Sequence, residues 1–478
     1  PVKAGGFIIV EKEFLMVEAL DILIKNGLVA TFERDSLSGK IIPEGAVAIK
    51  GNTIVDVGET EAIKKKYTRI HRTIDASGKI VMPGFIITHT HMAYVLGHNQ
   101  PVDVTQLKSF WDMLQKMGWE WLEDVTTGEG VYAATRYSAM KMLKNGTTTV
   151  CEMVEGPNAL PGVLEYSARA VEETGIRAQI GYEITERIPG VSILDKVDPG
   201  MADRGLEENL AFMEKYPHGG ESLIRPRLGV HTAYTNSPDT LKKAREAADR
   251  HGCGIQIHIA EIPRAFLTER YGKSAPAILE DAGLLGPDVV AAHCIDLDEE
   301  DLEVLRRNSV NISHTPMTNS LGGNGVARVP DMLQKGMNVS LGHDCFFTLD
   351  TAEYLRYTYL LHKAHNANPM LLPPFQVLDM VLGNAAKALG MEKEIGSIEA
   401  GKRADILIIK PDSPTPVVPS SLLSYYTMTF TGKDVETVLV DGKIVVEKGT
   451  MTTVNEEEVK AACIEEAKKL WARNGISV

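Results

Sequence analysis

The chain has 478 residues, of which 44% are hydrophobic, and it carries a formal net charge of −14. A chain of this length can bury a large core and is too long for one ordinary compact domain. The acidic balance argues against a nucleic-acid partner, whose phosphates need a positive face, and no apolar run reaches the roughly 18 residues that a membrane span requires.

Both ends of the chain carry the pattern of a small β domain. Residues 1–23 match no pattern, but residues 24–80 contain short β-type runs such as GAVAIKG and NTIVDVGE between turns, which predict strands. Similar runs, ADILIIKP and ETVLVDGKIVVEKG, return near the C-terminus, and residues 455–474 have the pattern of a charged amphipathic helix. We predict one β-sandwich domain built from residues 1–80 and 391–478.

The middle of the chain, residues 81–390, alternates apolar strands with helical segments. The predicted strands are 80–91, 147–153, 176–184, 224–234, 254–261, 289–294, 310–316 and 338–344. Between them lie helical patterns such as PDTLKKAREAADRHG, which ends at a glycine, and DEEDLEVLRRN, which starts behind acidic capping residues. Eight such βα units over roughly 300 residues predict an α/β fold, a (β/α)8 TIM-like barrel with insertions.

Polar residues recur where these predicted strands end. His89 and His91 close the first apolar run and point to the same face, because side chains two apart on a strand do so. Later runs end in His231, His258 with Glu261, His293 and Asp344. In (β/α)8 barrels the carboxyl ends of the strands form the active site, so we expect these groups to meet.

These residue types indicate a metal site. His89, His91, His258 and Asp344 offer three nitrogens and one carboxylate, a set that suits one Zn²⁺, or alternatively Fe²⁺, and leaves a position for water. Some metal-dependent barrels bridge two metals through a carboxylated lysine on strand 4, but the run RPRLGVHTAY contains no lysine. A single divalent ion is therefore expected.

The remaining polar groups suit proton transfer. A dication makes its bound water a nucleophile near neutral pH, and attack on carbon then needs a group that returns a proton to the leaving nitrogen. We assign Glu261 as the proton shuttle, His293 as a polarising group, and Asp344 as both a ligand and an acceptor of the water proton. His231 is the residue for which a purely structural role, capping strand 4, is the strongest alternative.

The motifs together resemble a known family. PGFIITHTH, GVHTAY, IHIAE, AAHC, SHTPMTN, LGHD and GSIEAGKRADILII, spread over residues 24–450, resemble the amidohydrolase superfamily. More narrowly they resemble its mononuclear-metal aminohydrolases, which include S-adenosylhomocysteine/methylthioadenosine, guanine and cytosine deaminases and triazine hydrolases. The resemblance implies the same four metal ligands, with Glu261 and His293 as acid/base and polarising groups.

The resemblance also implies substrate contacts. His231 matches a histidine that contacts the heterocycle, Trp111 an aromatic residue that covers the ring, and Glu123 a glutamate that binds ribose hydroxyls, although Glu120 is an equally good match. His314 and Asn319 match a segment that supports the site from strand 7.

This chain departs from the family pattern at two points. His343 precedes Asp344 where the family usually has threonine, and His98 stands where an arginine is common. Both positions shape the substrate pocket, so they leave the substrate open.

We therefore expect a metal-dependent hydrolase that deaminates an amino-substituted heterocycle and releases ammonia. Hydrolysis of an amide, urea, carbamate or thiocarbamate by the same metal site is the first alternative, and a non-catalytic barrel-fold binding protein is a remote second. The five widely spaced cysteines are typical of reduced thiols, which favours a cytoplasmic location. We expect a small-molecule substrate, a homodimer, and neither a nucleic-acid nor a membrane partner.

Overall fold

The structure is a computed structural model that describes residues 19–33, 40–101, 103–217, 222–345 and 348–477. Residues 1–18, which belong to the segment without a recognisable pattern and to the predicted N-terminal domain, lie outside the described residues. Among the helices described, none is both long enough and apolar enough to cross a membrane.

The strands and helices are numbered along the chain. The strands are β1 (Leu20–Ala30), β2 (Ile41–Lys50), β3 (Thr53–Glu59), β4 (Ile70–Asp75), β5 (Ile80–Pro83), β6 (Phe85–Thr90), β7 (Thr147–Val154), β8 (Arg177–Ile184), β9 (Ile224–Pro226), β10 (Leu228–Val230), β11 (Ile255–Ile259), β12 (Val289–His293), β13 (Asn311–His314), β14 (Val339–Leu341), β15 (Ile406–Ile409), β16 (Val435–Val440), β17 (Lys443–Glu447) and β18 (Thr450–Met451). The helices are α1 (Thr60–Lys66), α2 (Phe110–Met113), α3 (Gly128–Lys144), α4 (Val163–Thr174), α5 (Pro199–Lys215), α6 (Pro238–His251), α7 (Arg264–Tyr271), α8 (Ala275–Asp281), α9 (Glu299–Arg307), α10 (Pro316–Leu321), α11 (Val329–Gln334), α12 (Thr351–His365), α13 (Pro374–Asp379), α14 (Gly383–Ala388), α15 (Leu422–Met428) and α16 (Glu456–Arg473).

The middle of the chain forms the predicted parallel barrel. Its strands follow one another in the order β6, β7, β8, β10, β11, β12, β13 and β14, with β9 beside β8. The barrel closes between its first and last strands, where Thr90 and Asp344 form a parallel bridge and the His91 amide donates to the Asp344 carbonyl at 3.1 Å. The (β/α)8 prediction is therefore confirmed.

Helix ends in the barrel follow from the sequence. Helix α6 begins behind Ser237, whose side chain accepts from the Thr240 amide, and ends at Gly252 with a φ of 63°. Helix α9 begins with a capping box between Asp298 and Asp301. Side-chain acceptors satisfy amides at a helix start, and glycine tolerates the left-handed residue that ends it. The sequence analysis predicted α6 from its terminal glycine and α9 from its acidic capping residues.

The first apolar run of the barrel region divides into two strands. The sequence predicts one strand over 80–91, but β5 pairs with β15 in the terminal sheet, whereas β6 pairs with β7 in the barrel. Gly84 joins them, and a Cβ atom there would lie 2.1 Å from the Thr148 hydroxyl oxygen. Only glycine allows the two sheets to approach so closely.

The chain ends build the predicted β domain as one nine-stranded mixed sheet. Its strand order is β18, β17, β16, β15, β5, β1, β2, β3, with β4 beside β1. Strands β1 and β5 are parallel, and β5 and β15 are antiparallel. Because β15 comes from the C-terminal half and β1 from the N-terminal half, the sheet joins both ends of the chain.

A buried ion pair ties this sheet to the barrel. Arg177, at the start of β8, is 1% exposed and donates to both oxygens of Asp405, at 3.1 and 2.9 Å, and to Asp441 at 3.2 Å. Replacement of Arg177 by methionine leaves the buried Asp405 carboxylate without its cation, whereas Asp441 keeps Arg403 at 2.7 Å. We expect the free energy of unfolding to fall by about 3–5 kcal/mol, measured by urea denaturation of protein with equal metal content. The control, Arg169→Met, removes an ion pair in which the arginine is 57% exposed, and it should cost less than about 1 kcal/mol. Equal losses in the two variants would contradict the prediction.

Candidate active site

The carboxyl ends of the barrel strands bring the predicted ligands together. His89 lies in β6 and His258 in β11, while Asp344 follows β14 at the closure of the barrel. His89, His258, His293 and Asp344 are buried, and each places one ligand atom within 4.8 Å of the others. His91, the fourth predicted ligand, lies beside this group.

The Nε2 atoms of His91 and His258 face each other. His91 directs Nδ1 to the Glu155 carboxylate, and His258 directs Nδ1 to the His231 carbonyl oxygen at 3.0 Å. Both partners are acceptors, so each Nδ1 carries the proton and each Nε2 is unprotonated. The two Nε2 atoms are nevertheless only 3.2 Å apart.

A divalent cation fits between these atoms. Asp344 Oδ1 lies 3.4 Å from His91 Nε2 and 3.6 Å from His89 Nε2. Ligands about 2.1 Å from a tetrahedral cation are roughly 3.4 Å apart, which matches these spacings. Both His89 nitrogens are buried and have no hydrogen-bond partner among the described residues. A cation bound to His89 Nε2, the nitrogen that faces Asp344, would supply the interaction that this atom lacks.

The charges of these groups also suit a cation. Burial lowers the pKa of His91 to about 3 and that of His258 well below its ordinary value. Burial opposes ionisation of Asp344, but the adjacent His293 and His89 rings hold the pKa of its carboxyl well below its usual range. At neutral pH His91 and His258 therefore offer lone pairs, and the carboxylate offers a negative charge.

Glu261 and His293 form a second pair beside the ligands. His293 Nδ1 is 2.9 Å from both Thr315 Oγ1 and Asn319 Oδ1, and the Thr315 hydroxyl donates to Asn319. His293 Nδ1 must therefore be a donor. Its Nε2 lies 3.1 Å from Glu261 Oε2, although the angle between the two groups is not that of a hydrogen bond.

The surroundings of Glu261 suit a group that takes up and releases protons. Burial raises the pKa of Glu261 above its ordinary value, and the Tyr234 hydroxyl donates to Glu261 Oε1 at 2.9 Å. A carboxyl group works best as a proton shuttle when its pKa moves towards neutrality. Tyr234 fixes one oxygen and leaves the other beside His293.

The backbone at two strand ends is in the left-handed region. His293 has a φ of 70° and Asp344 a φ of 58°. Non-glycine residues seldom adopt this conformation, which costs of order 1–3 kcal/mol and is concentrated at functional sites. The packing of the barrel therefore holds both side chains in place against a local preference for extended backbone.

The predicted substrate contacts differ in their access to the pocket. Glu123 lines it and accepts from the Tyr94 hydroxyl and from Arg187 at 2.9 Å. Glu120, the alternative, is exposed and accepts from Gln115 at 2.7 Å. Glu123 is thus the glutamate that a bound ligand can reach.

Two other predicted contacts also line the pocket, His231 and Asn319. The Asn319 Nδ2 atom is buried and has no hydrogen-bond partner among the described residues. It is a donor that a bound ligand can use.

Trp111 lies at the edge of the pocket. Its ring stacks on Phe266 with centroids 5.6 Å apart and lies 5.9 Å from Trp119. Trp119 itself lines the pocket and packs against His231 at 5.6 Å. The aromatic wall of the pocket therefore includes Trp119, which the sequence analysis did not single out, together with Tyr94 and Phe110, and Trp111 packs against Trp119 from outside.

Two histidines near the strand ends turn away from the pocket. His314 Nε2 is 3.1 Å from His362 Nε2 on α12, and His314 does not line the pocket. His343 contacts the Thr351 hydroxyl at 3.1 Å, and its ring stacks on Tyr354 at 4.2 Å. His343, which the sequence analysis expected to shape the substrate pocket, therefore packs against α12 and does not line the pocket.

Aromatic and aliphatic side chains narrow the pocket. Phe110, Met113 and Leu114 line it, and its free volume of about 50 Å³ holds a few water molecules. The segment that supplies these residues runs from α2 into the following π-helical turns, Leu114–Glu120, and π-helical turns are frequent at functional sites.

Sequence reasoning missed several groups in the site. Glu155 follows β7 and Glu183 lies near the end of β8, both buried close to His91. Burial and the charge of Glu123 raise the pKa of Glu183 well above its ordinary value. Both glutamates stand at the ends of predicted strands, so the signal that identified the histidines also applied to them.

Comparisons with known proteins agree with this architecture. The model of the amidohydrolase family matches residues 80–445. A 5'-deoxyadenosine deaminase of Methanosarcina acetivorans is 35% identical over 458 residues, 95% of this chain and 99% of that protein. A 5-methylthioadenosine/S-adenosylhomocysteine deaminase of Pelotomaculum thermopropionicum is 33% identical over 458 residues, with the same shares covered. A crystal structure of a zinc-bound adenosine deaminase of Xanthomonas campestris matches with a TM-score of 0.81 at 22% identity, covering 95% of this chain and 99% of that one. The chain therefore belongs to the amidohydrolase family.

Proposed function

We propose that this protein hydrolytically deaminates an adenosine-type heterocycle and releases ammonia. One observation carries the proposal: the Glu261–His293 pair, 3.1 Å apart, stands beside a cluster of imidazole lone pairs and a carboxylate that fits one cation. The deaminases that are 33% and 35% identical to the chain over nearly its whole length support this choice of reaction.

His89, His91, His258 and Asp344 are the residues that would hold the cation. Zn²⁺ is the first choice because three imidazoles and one carboxylate suit it, and the Xanthomonas campestris adenosine deaminase contains zinc. A divalent cation held there would acidify a water molecule towards neutral pH.

Glu261 and His293 then manage the protons. Glu261 accepts a proton from the attacking water and delivers it to the departing amino group, since ammonia is a poor leaving group unless it is protonated. His293 orients the water and polarises the substrate, while Asp344 assists as a second acceptor. Both carboxyl groups are buried.

Hydrolysis of an amide, urea, carbamate or thiocarbamate would use the same groups. We therefore test purified protein loaded with Zn²⁺, and separately with Fe²⁺, against adenosine, 5'-deoxyadenosine, guanine, cytosine, an aryl urea and an N-aryl carbamate. Ammonia release from an adenosine-type compound, with little from the urea or carbamate, is the expected result. Release of a larger amine instead would favour the alternative hydrolase, and no turnover with either metal would favour a binding protein.

Glu155 should strengthen metal binding without touching the metal. Its carboxylate accepts from His91 Nδ1 and so holds the tautomer whose Nε2 faces the cluster. Glu155→Gln removes this charged acceptor, and we expect zinc affinity to fall about 10–100-fold, measured by competition with a chelating dye. The surface variant Glu165→Gln, in which the carboxylate is 41% exposed, serves as the control. Equal zinc affinity in both variants would show that Glu155 does not support His91.

A further inference from the structure

Glu183 is a buried carboxyl group that faces the pocket. It is 4% exposed and lines the pocket beside His91, His231 and His258. Within the part of the chain that the structure describes, its nearest basic partner is His231 Nε2 at 3.9 Å, which is beyond hydrogen-bond distance. A buried carboxyl group without donors is costly, so a bound ligand is the natural source of them.

The neighbouring arginine does not fill this role. Arg187 donates to Glu123 at 2.9 Å and to Asp124 at 2.7 Å. Its two terminal nitrogens therefore serve those carboxylates, and no hydrogen bond joins Arg187 to Glu183 among the described residues.

His231, the group opposite Glu183, presents a donor. The Thr232 hydroxyl oxygen accepts from the amides of Tyr234 and Thr235, so its proton points to Thr235 Oγ1 at 2.9 Å. The Thr235 hydroxyl oxygen accepts from Thr232 and from the Asn236 side-chain amide at 3.4 Å, so its own hydrogen is directed to His231 Nδ1, 2.8 Å away. A neutral imidazole that accepts at Nδ1 carries its proton on Nε2. The two threonines thus fix the tautomer in which His231 offers an N–H to the pocket.

We infer that Glu183 is a specificity-determining residue. Together with His231 it forms hydrogen bonds to two adjacent polar atoms of the substrate. His231 Nε2 donates to a ring nitrogen, and a Glu183 oxygen accepts from an N–H or O–H group next to that nitrogen. A spacing of 3.9 Å suits two groups that contact neighbouring atoms of one ligand. A carboxyl group keeps an acceptor oxygen whether or not it is protonated.

The donor has two possible sources in an adenosine-type compound. It is a ribose hydroxyl close to the ring nitrogen, or an exocyclic amino group on the adjacent ring carbon, as in 2,6-diaminopurine riboside. This inference rests on the proposed function, because it assumes that an adenosine-type heterocycle occupies the pocket.

The test removes the contact from the protein and from the ligand in turn. Dissociation constants are measured by calorimetry for adenosine, 2'-deoxyadenosine, 3'-deoxyadenosine and 2,6-diaminopurine riboside, with zinc-loaded Glu261→Gln protein so that turnover is slow. The same ligands are then measured with Glu183→Ala and Glu183→Gln added. The control is Glu208→Gln, which alters a buried glutamate that caps α4 through the amides of Gly162 and Leu164.

We expect the ligand that carries the donor to bind about 10–100-fold more tightly than its analogue without it, and Glu183→Ala to reduce this ratio to about one. Collapse of the adenosine to deoxyadenosine ratio identifies a hydroxyl, and collapse of the diaminopurine to adenosine ratio identifies an amino group. Zinc content should not change. Unchanged ratios in both Glu183 variants, or loss of zinc, would overturn the inference. Failure of the unsubstituted protein to deaminate any of the four compounds would instead count against the proposed function.

Discussion

Glu261→Gln should retain its zinc and lose about 10²–10⁴-fold in kcat for ammonia release. Glutamine has nearly the same shape as glutamate. Its side-chain oxygen can still accept the hydrogen bond that the Tyr234 hydroxyl donates to Glu261 at 2.9 Å. It cannot take a proton from water and return it to the leaving amine, so the loss should appear in kcat. The measurement is steady-state ammonia release by protein of verified zinc content, with the best substrate found among the adenosine-type compounds.

The matched control is Glu269→Gln. It changes an exposed glutamate on α7, the helix that follows Glu261 in the chain. Its kcat should equal that of the unsubstituted protein. A Glu261→Gln protein with a kcat within threefold of normal would mean that another group moves the proton, and the pairing of Glu261 with His293 would then be structural.

His258→Ala should abolish metal binding as well as turnover. Its Nε2 is 3.2 Å from His91 Nε2, and its removal leaves three of the four predicted ligands. We expect bound zinc to fall from about one equivalent per chain to near zero, and kcat/KM to fall about 10³-fold or more, because the cation supplies several kcal/mol of transition-state stabilisation. Elemental analysis after dialysis against a chelator, together with the ammonia assay, gives both quantities.

His251→Ala provides the comparison, since this histidine ends α6 and lies outside the pocket. It should keep its metal and its activity. Full zinc occupancy in His258→Ala would contradict the assigned ligand set and would point to His293, whose ligand atom also lies within 4.8 Å of His89 and Asp344.

The barrel could be predicted because its strands leave strong local signals. Eight apolar runs separated by amphipathic helices allow few other folds. Gly252 ends α6 and Asp298 begins α9 where the sequence indicates. The division of residues 80–91 between two sheets could not be predicted, because the apolar run continues from β5 into the start of β6 and only the partner strands differ.

The aromatic wall shows a different limit. Trp111 and Trp119 lie on one helical segment, and the sequence analysis selected the first. The chain passes from α2 into π-helical turns at Leu114, which changes the residues per turn and so the face on which later side chains lie. Trp119 faces the pocket as a result. The local pattern of hydrophobic residues does not indicate where α-helical turns give way to π-helical turns.

By itself the sequence determined the fold class, the two-ended β domain and the residues that end the barrel strands, because apolar periodicity and helix caps are local properties of the chain. Only the tertiary structure decided which of those strand-end groups meet at hydrogen-bond or ligand distance. Closure of the barrel brings Glu155 to His91 and Glu183 opposite His231 and turns His314 towards α12. These outcomes depend on barrel geometry and on packing between segments far apart in the chain. The local spacing of residues in the sequence indicates neither.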